Sequence, residues 1–341
     1  MVEPSIQNKN KISQSSRKKV TVIFQGPIGK SEASAIERSV LRLKSIVQNK
    51  NLEIIISTWD DCEMICFDVD KIVRYPNLET YTFDGFKPCN VHKIIFLAKA
   101  ALAESSGDVI IRLRSDLEII NPAKLMRIAL SYQKPGRMFR ERVVVIDYST
   151  NDPMRFDLEI PYHVCDWVHI GLASDVKKIF QLPLPDKTFY SYHLSQPLEE
   201  RYGKYVEAIR SEAYVTSFIV RRSYWSKCKM DNKISEFQKM YSNLAIANDY
   251  SVFNLSAIGL ASIKHKTNNF DPNRLTKIVQ NIWLLQLDQR IPKWIRRLAL
   301  VLLYYPRPLY KEYIGLKRKI KSIITKKLTI KHDSVHKSNL F

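Results

Sequence analysis

Short apolar runs alternate with stretches of helical periodicity over the first 150 residues. VTVIFQGP (20–27) is an apolar run stopped by Gly-Pro, the pattern of a buried strand. SEASAIERSVLRLKSIV (31–47) puts Ile36, Val40, Leu43 and Val47 on one face and predicts a helix that Ser31 or Ser34 can cap. LEIIISTWDD (52–61), KIVRY (71–75), DVIIRLRSD (108–116) and ERVVVID (141–147) read as further strands. NVHKIIFLAKAALAES (90–105) reads as a second helix. Strands alternating with helices predict an α/β domain with a mainly parallel sheet covered on both faces.

The second half is less regular. EIPYHVCDWVHIGLASDVKKIFQLP (159–183) predicts an extended segment leading into a short helix that Ser174 can cap. DKTFYSYHLSQP (186–197) reads as an aromatic, polar loop, and SEAYVTSFIVRRSYW (211–225) as an amphipathic helix. Residues 1–17 read as a flexible polar tail without an apolar core, so no secretory signal is expected.

One stretch breaks the apolar habit of the other strands. IIRLRSDLEII (110–120) alternates Arg112, Arg114, Asp116 and Glu118 with Leu113, Ser115, Leu117 and Ile119. Period two predicts one strand with all four charges on one face. In sheets of this class ligands gather beyond the carboxyl ends of the strands. The neighbouring strands end there too, at Gln25-Gly26-Pro27 and Ser57-Thr58-Trp59-Asp60. The charged half of the strand is therefore read as the edge of a binding site, in preference to a solvated edge.

Charge and cysteine usage narrow the classes. The chain carries a formal net charge of +20 over 341 residues. From Arg290 to Phe341 there are 14 Lys+Arg against 2 Asp+Glu, so +12 of that charge lies in the last segment. A nucleic-acid-binding core should carry its basic residues on the folded face, so no nucleic-acid partner is expected. Cys62, Cys66, Cys89, Cys165 and Cys228 lack the paired doublets of a zinc site and read as reduced thiols of a cytoplasmic protein.

The candidate chemistry follows from residue type and place. A carboxylate such as Asp116 suits a hard divalent ion or a ribose hydroxyl, and Arg112 and Arg114 match phosphate oxygens. One of the arginines can face the ligand while the other pairs with Asp116 or Glu118. The glycine-rich dinucleotide fingerprint, the phosphate-binding loop and the hydrolase nucleophile elbow are all absent from the sequence. Gln25 and its Gly-Pro turn are candidates for contact with a nucleobase or sugar. Asp166, beside Trp167, is the candidate general base toward a sugar hydroxyl, with the indole packing on the sugar. His163 and His169 are read as structural, and Glu212 as the reserve base.

In this order, VIFQGPI, EIIISTWDD, IIRLRSDLEI, IPYHVCDWVHIG and SEAYVTSFI resemble the WavE family of lipopolysaccharide-synthesis proteins over roughly residues 20–260. The resemblance implies a GT-A-like nucleotide-sugar-binding fold. In it, Asp116 would meet the donor diphosphate through a divalent metal, Mn or Mg. Gln25, Gly26, Pro27, Thr58 and Trp59 would form the nucleotide floor, with Asn90 near the donor and Arg114 offsetting phosphate charge. The family's Asn-x-Asn-Arg-Gln becomes Asn90-Val91-His92-Lys93-Ile94 here, a departure that bears on donor preference.

The expectation is thus a glycosyltransferase domain over 18–285. It would move a sugar from a nucleotide-sugar onto a surface glycan, such as a lipopolysaccharide core or another lipid-linked saccharide. The alternative is a non-catalytic nucleotide- or glycan-binding protein on the same fold. The basic helical extension, 286–341, carries an apolar stripe of Trp294, Ile295, Leu298, Leu302 and Tyr305 that is too short to span a bilayer. A basic amphipathic helix of this kind predicts a peripheral place on the inner membrane face.

Overall fold

The computed structural model describes residues 18–47, 51–62, 68–83, 88, 90–148, 150, 164–195, 245–246 and 248–264. The chain divides into two units, Met1–Gln280 and Asn281–Phe341, and every described residue lies in the first. The predicted tail at 1–17, the helix at 211–225 and the basic extension at 286–341 fall outside the described residues.

Apolar runs form the strands as predicted: β1 Val20–Gln25, β2 Leu52–Trp59, β3 Lys71–Tyr75, β4 Val109–Arg114 and β6 Val143–Ile146. β7, Val168–Leu172, and β8, Tyr250–Phe253, complete a seven-stranded sheet in the order β3-β2-β1-β4-β7-β6-β8. β1 pairs in parallel with β2 and β4, β2 with β3, and β6 with β8. Only β7 is reversed among these strands, antiparallel to both β4 and β6. The sheet is therefore mostly parallel, and the start of β7 lies at the edge where β4 ends, with Leu113 opposite Val168.

Alternation along the strands builds two unlike faces. Val22 and Phe24 of β1, Ile54 and Ile56 of β2, and Ile111 and Leu113 of β4 meet Ile36, Val40 and Leu43 of helix α1, Lys30–Ile46, in one apolar core. Helix α3, Pro122–Leu130, adds Leu125 and Met126 to that core. The opposite face carries polar positions. Ser57 donates to the Leu97 carbonyl of helix α2, Val91–Glu104, and Gln25 to its Ile94 carbonyl. Helix α4, Ala173–Phe180, covers the rest of that face, with the Phe180 ring against both Arg112 and His169. The polar positions of β1, β2 and β4 at this edge thus face the α2/α4 side.

The structure revises several local expectations. The 110–120 stretch is not one strand: β4 stops at Arg114, Ser115 and Asp116 turn, and β5, Leu117–Ile119, joins β9, Leu260–Ser262, in a separate antiparallel pair. One of its four charges therefore leaves the other three. Glu118 turns to α1, where Arg38 and Arg42 hold it at 2.7 and 2.6 Å. α1 begins one residue before Ser31. Its cap is Gly29, whose N–H donates to Glu32, so neither Ser31 nor Ser34 caps it. Ser174 does not cap α4, whose N-cap position is Leu172. Residues 187–195, expected as loop, form helix α5, Lys187–Ser195. α3 opens with a side-chain cap from Asn121 and Pro122 in its first turn, a start signal overlooked beside the charged strand.

Candidate functional site

A cavity of about 430 Å³ opens at the carboxyl edge of β1, β2 and β4. It is lined by Gln25, Gly26, Pro27, Trp59, Asn90, Arg114, Asp116 and Asp166, all candidate residues from the sequence. Lys93, Ile94, Arg112, Ser115 and Lys264 also line it.

The floor is a tied turn. Gly26 sits at φ 131°, a conformation that favours glycine, and a Cβ there would lie 2.8 Å from Ser115 Oγ. The Gly26 N–H donates to the Ser57 carbonyl, Ser115 N–H to the Gln25 carbonyl, and Ser115 Oγ to the Pro27 carbonyl. These bonds join the ends of β1, β2 and β4 into one rigid surface. The Gly-Pro turn is therefore a structural requirement of the floor as well as a wall of the cavity.

Thr58 is not part of that wall. It is the neighbour of Trp59 on a strand, so the two side chains point to opposite faces. Thr58 Oγ1 donates to Cys62 Sγ at 3.1 Å, while Trp59 stacks on Phe96 of α2 and carries the Lys93 ammonium 5.6 Å from its ring centre. Lys93 also donates to Thr80 Oγ1 at 3.0 Å, and burial lowers its pKa. Asn90 stands at the N-cap of α2 but makes no side-chain cap bond. Ile94 contributes its carbonyl to Gln25 Nε2 at 2.7 Å.

The two arginines of the charged strand have separate tasks. Arg114 Nε and Nη2 reach the two oxygens of Asp116 at 3.1 and 2.5 Å, and its guanidinium lies over the Trp167 ring at 4.5 Å. Burial alone would lower the Arg114 pKa, but the charges of Asp166 and Asp116 raise it above its usual value. Arg112, read with Arg114 as a match for phosphate oxygens, is fully buried. Its Nε donates to Gln25 Oε1 at 2.6 Å, and its Nη1 donates to the Asp166 carbonyl and meets His169 Nδ1 at 3.2 Å. Its Nη2 has no hydrogen-bond partner among the described residues. Burial pushes its pKa down to about 10, so it stays charged at neutral pH. The sequence signal is an arginine inside an apolar strand, two residues before the strand end, and the fold adds its complete burial.

Asp166 lies just before β7 and lines the cavity. Trp167 does not face a sugar there. It is buried in the core, covered by Arg114 on one side and Tyr148 at 4.2 Å. His169 is buried as expected. Desolvation first, then Arg112, hold it well below the usual histidine pKa, so it is neutral, and its contact with Arg112 requires Nδ1 to accept. His163 and Glu212 lie outside the described residues.

The donor set does not fit a resident divalent ion. Both Asp116 oxygens already accept from Arg114. Among the described residues, no three His, Cys, Asp or Glu side chains gather as a metal would need. Among the described residues, the ionisable groups of the wall are four cations, Lys93, Arg112, Arg114 and Lys264, against two carboxylates, Asp116 and Asp166. Such a wall attracts an anion.

Compared with known proteins, the sequence matches the WavE lipopolysaccharide synthesis family over residues 20–313. No curated protein matches it. Solved structures similar to it include glucosyl-3-phosphoglycerate synthase from Mycobacterium tuberculosis in complex with Mn²⁺, UDP and phosphoglyceric acid. That match has 14% identity and a TM-score of 0.25, and covers 39% of this chain and 44% of that one. A second structure of the same synthase, with Mn²⁺, UDP and glucosyl-3-phosphoglycerate, matches at 14% identity and TM-score 0.25. It covers 43% of this chain and 50% of that one. The chain thus spans half or less of the length of these solved relatives.

Proposed function

Because the chain belongs to the WavE lipopolysaccharide synthesis family, we propose that it is a nucleotide-sugar-dependent glycosyltransferase on a GT-A-like fold, acting on a growing surface glycan such as a lipopolysaccharide core or another lipid-linked saccharide. The observation that carries the reading is the cation-rich cavity at the carboxyl edge of the parallel strands, with a carboxylate, Asp166, in its wall. Gln25, Gly26, Pro27 and Trp59 form the surface for the nucleotide, and Asn90 stands beside it. Arg114, oriented by Asp116, faces the donor phosphates. Asp166 is the general base that takes the proton of the acceptor hydroxyl as the new glycosidic bond forms. Glu212 stays the reserve for that task.

The acceptor class follows from the family and from the basic stripe at 286–341, which this reading places on the inner membrane face. The domain division at 18–285 and 286–341 belongs to the same proposal. Among the described residues no helix is long and apolar enough to cross a membrane.

A thermal-shift screen of nucleotide-sugars tests the reading, since a ligand that binds the folded state raises its melting temperature. One nucleotide class should stabilise the protein selectively, and the matching nucleotide-sugar should be consumed faster when a lipid-linked saccharide acceptor is added. Tight nucleotide binding with no turnover on any acceptor would favour a binding protein instead.

A further inference from the structure

We infer that the cavity takes the diphosphate of its donor directly onto side-chain cations, Lys93 by contact and Arg112 through its buried charge, without a bridging divalent ion. This rests on the glycosyltransferase reading and names how its donor is held.

The first ground is the state of Arg112. A fully buried guanidinium is costly unless an anion compensates it. The groups that accept its hydrogen bonds are neutral, the Gln25 amide, the Asp166 backbone carbonyl and the His169 ring, and the Asp166 carboxylate offsets its burial only in part, against the like charge of Arg114. One of the Arg112 nitrogens has no acceptor among the described residues, and its charge stands in the cavity wall. In a low-dielectric setting such a charge is felt at a distance and does not need contact to favour an anion.

The second ground is Lys93. Its ammonium rests on the Thr80 hydroxyl and over the Trp59 ring, both neutral. A strong anionic acceptor at this point would complete its hydrogen bonds. The other two cations of the wall are already engaged, Arg114 with Asp116 and Lys264 with Glu32 at 2.5 Å. Among the described residues, Arg112 and Lys93 are therefore the wall cations with no carboxylate hydrogen-bonded to them, and they add to Arg114 as charges that can meet a ligand.

The third ground is what a divalent ion would encounter. Its expected ligand, Asp116, is held at both oxygens by Arg114. An ion entering here must break that pair and add positive charge beside Arg112 and Lys93. A diphosphate entering without one relieves the same excess.

The test is calorimetric titration of the full chain with uridine, guanosine and adenosine diphosphates and with inorganic pyrophosphate, in EDTA and again in Mn²⁺ or Mg²⁺. The expected result is binding in EDTA, within about threefold of that with metal, and weakening as salt rises. Lys93→Ala should weaken it about tenfold, the loss of one charge-assisted bond, and Lys93→Arg should recover most of it. Arg112→Met should weaken it further and Arg112→Lys less so. Should Arg112→Met fail to fold, the Lys93 pair still decides. Binding that disappears in EDTA and returns with Mn²⁺ overturns the inference and leaves the glycosyltransferase reading standing. Normal affinity in Lys93→Ala overturns the contact assigned to it. No binding under either condition overturns both this inference and the assignment of the cavity as a donor site.

Discussion

At the scale of single residues, the carboxylates of the cavity are distinguished by what holds them. Asp116 is 3% exposed and locked to Arg114. Asp116→Asn keeps the shape but leaves a guanidinium without its counter-charge. It should cost about 2 kcal/mol of stability, below the range for a fully buried pair because Arg114 is one-third exposed. It should also lower transfer at least about a hundredfold, by releasing the arginine that faces the phosphates. Thermal unfolding and turnover measured on the same preparation check both effects, and wild-type turnover would remove Asp116 from the site. Asp166→Asn should behave differently. A base acts on the acceptor in the transition state, so kcat should fall by about two to four orders of magnitude while donor affinity changes little. Lost donor binding with normal kcat would move Asp166 to the nucleotide side and leave Glu212 as the base.

At the scale of elements, the clearest energetic link outside the cavity joins α1 to β5. Hydrogen bonds from Arg38, then Arg42, hold the Glu118 carboxyl at a pKa of about 2, against an ordinary value of 4.5. A carboxyl with a lowered folded pKa stabilises the fold above its unfolded pKa and loses that contribution as pH falls toward the folded one. Wild-type stability relative to Glu118→Gln should therefore be greatest above pH 4.5 and vanish between about 4.5 and about 2. Denaturant unfolding of both proteins across that range measures it. The plateau difference should be about 1 kcal/mol, since both arginines are substantially exposed and screened. A difference that persists unchanged at pH 2 would separate Glu118 from this link. The same stretch shows where the sequence could be read and where it could not. Apolar runs and helical spacing were enough for β1, α1, β2, α2 and β4, because each buries a continuous face, and for β3, which is half-buried at the sheet edge beside β2. Alternation alone could not show that the strand breaks at Ser115. That break is fixed by partners distant in sequence: Gln25 and Pro27 at Ser115, and Arg38 and Arg42 at Glu118. Thr58 is not among the described residues lining the cavity, because within β2 it faces opposite to Trp59 and donates to Cys62 Sγ. The sequence leaves open which of Arg112 and Arg114 faces the ligand, because the setting of Arg112 depends on Gln25, Asp166 and His169, which converge only in the folded sheet.

At the scale of the whole molecule, charge is divided along the chain. The segment from Arg290 onward holds +12 of the +20. If that segment seats the protein on anionic lipid, a chain ending at Asp288 should lose co-sedimentation with anionic vesicles and keep activity on a soluble acceptor. Full-length binding should weaken with salt, at about 1 kcal/mol for each basic residue near the surface. Equal vesicle binding by the shortened chain would assign membrane attachment elsewhere.

The reversal of β7 has a consequence for how such an enzyme can diverge. Because this strand alone runs against its neighbours, the chain arrives at the cavity through Asp166, whereas along β1, β2 and β4 it departs from it. The residues assigned to the donor follow strands, and the residue assigned to the acceptor precedes one. The two sides are nevertheless joined at Arg112, which donates both to Gln25 Oε1 and to the Asp166 carbonyl. A lineage that alters the turn leading into β7 must therefore keep that one guanidinium seated, or the Gln25 floor shifts with it.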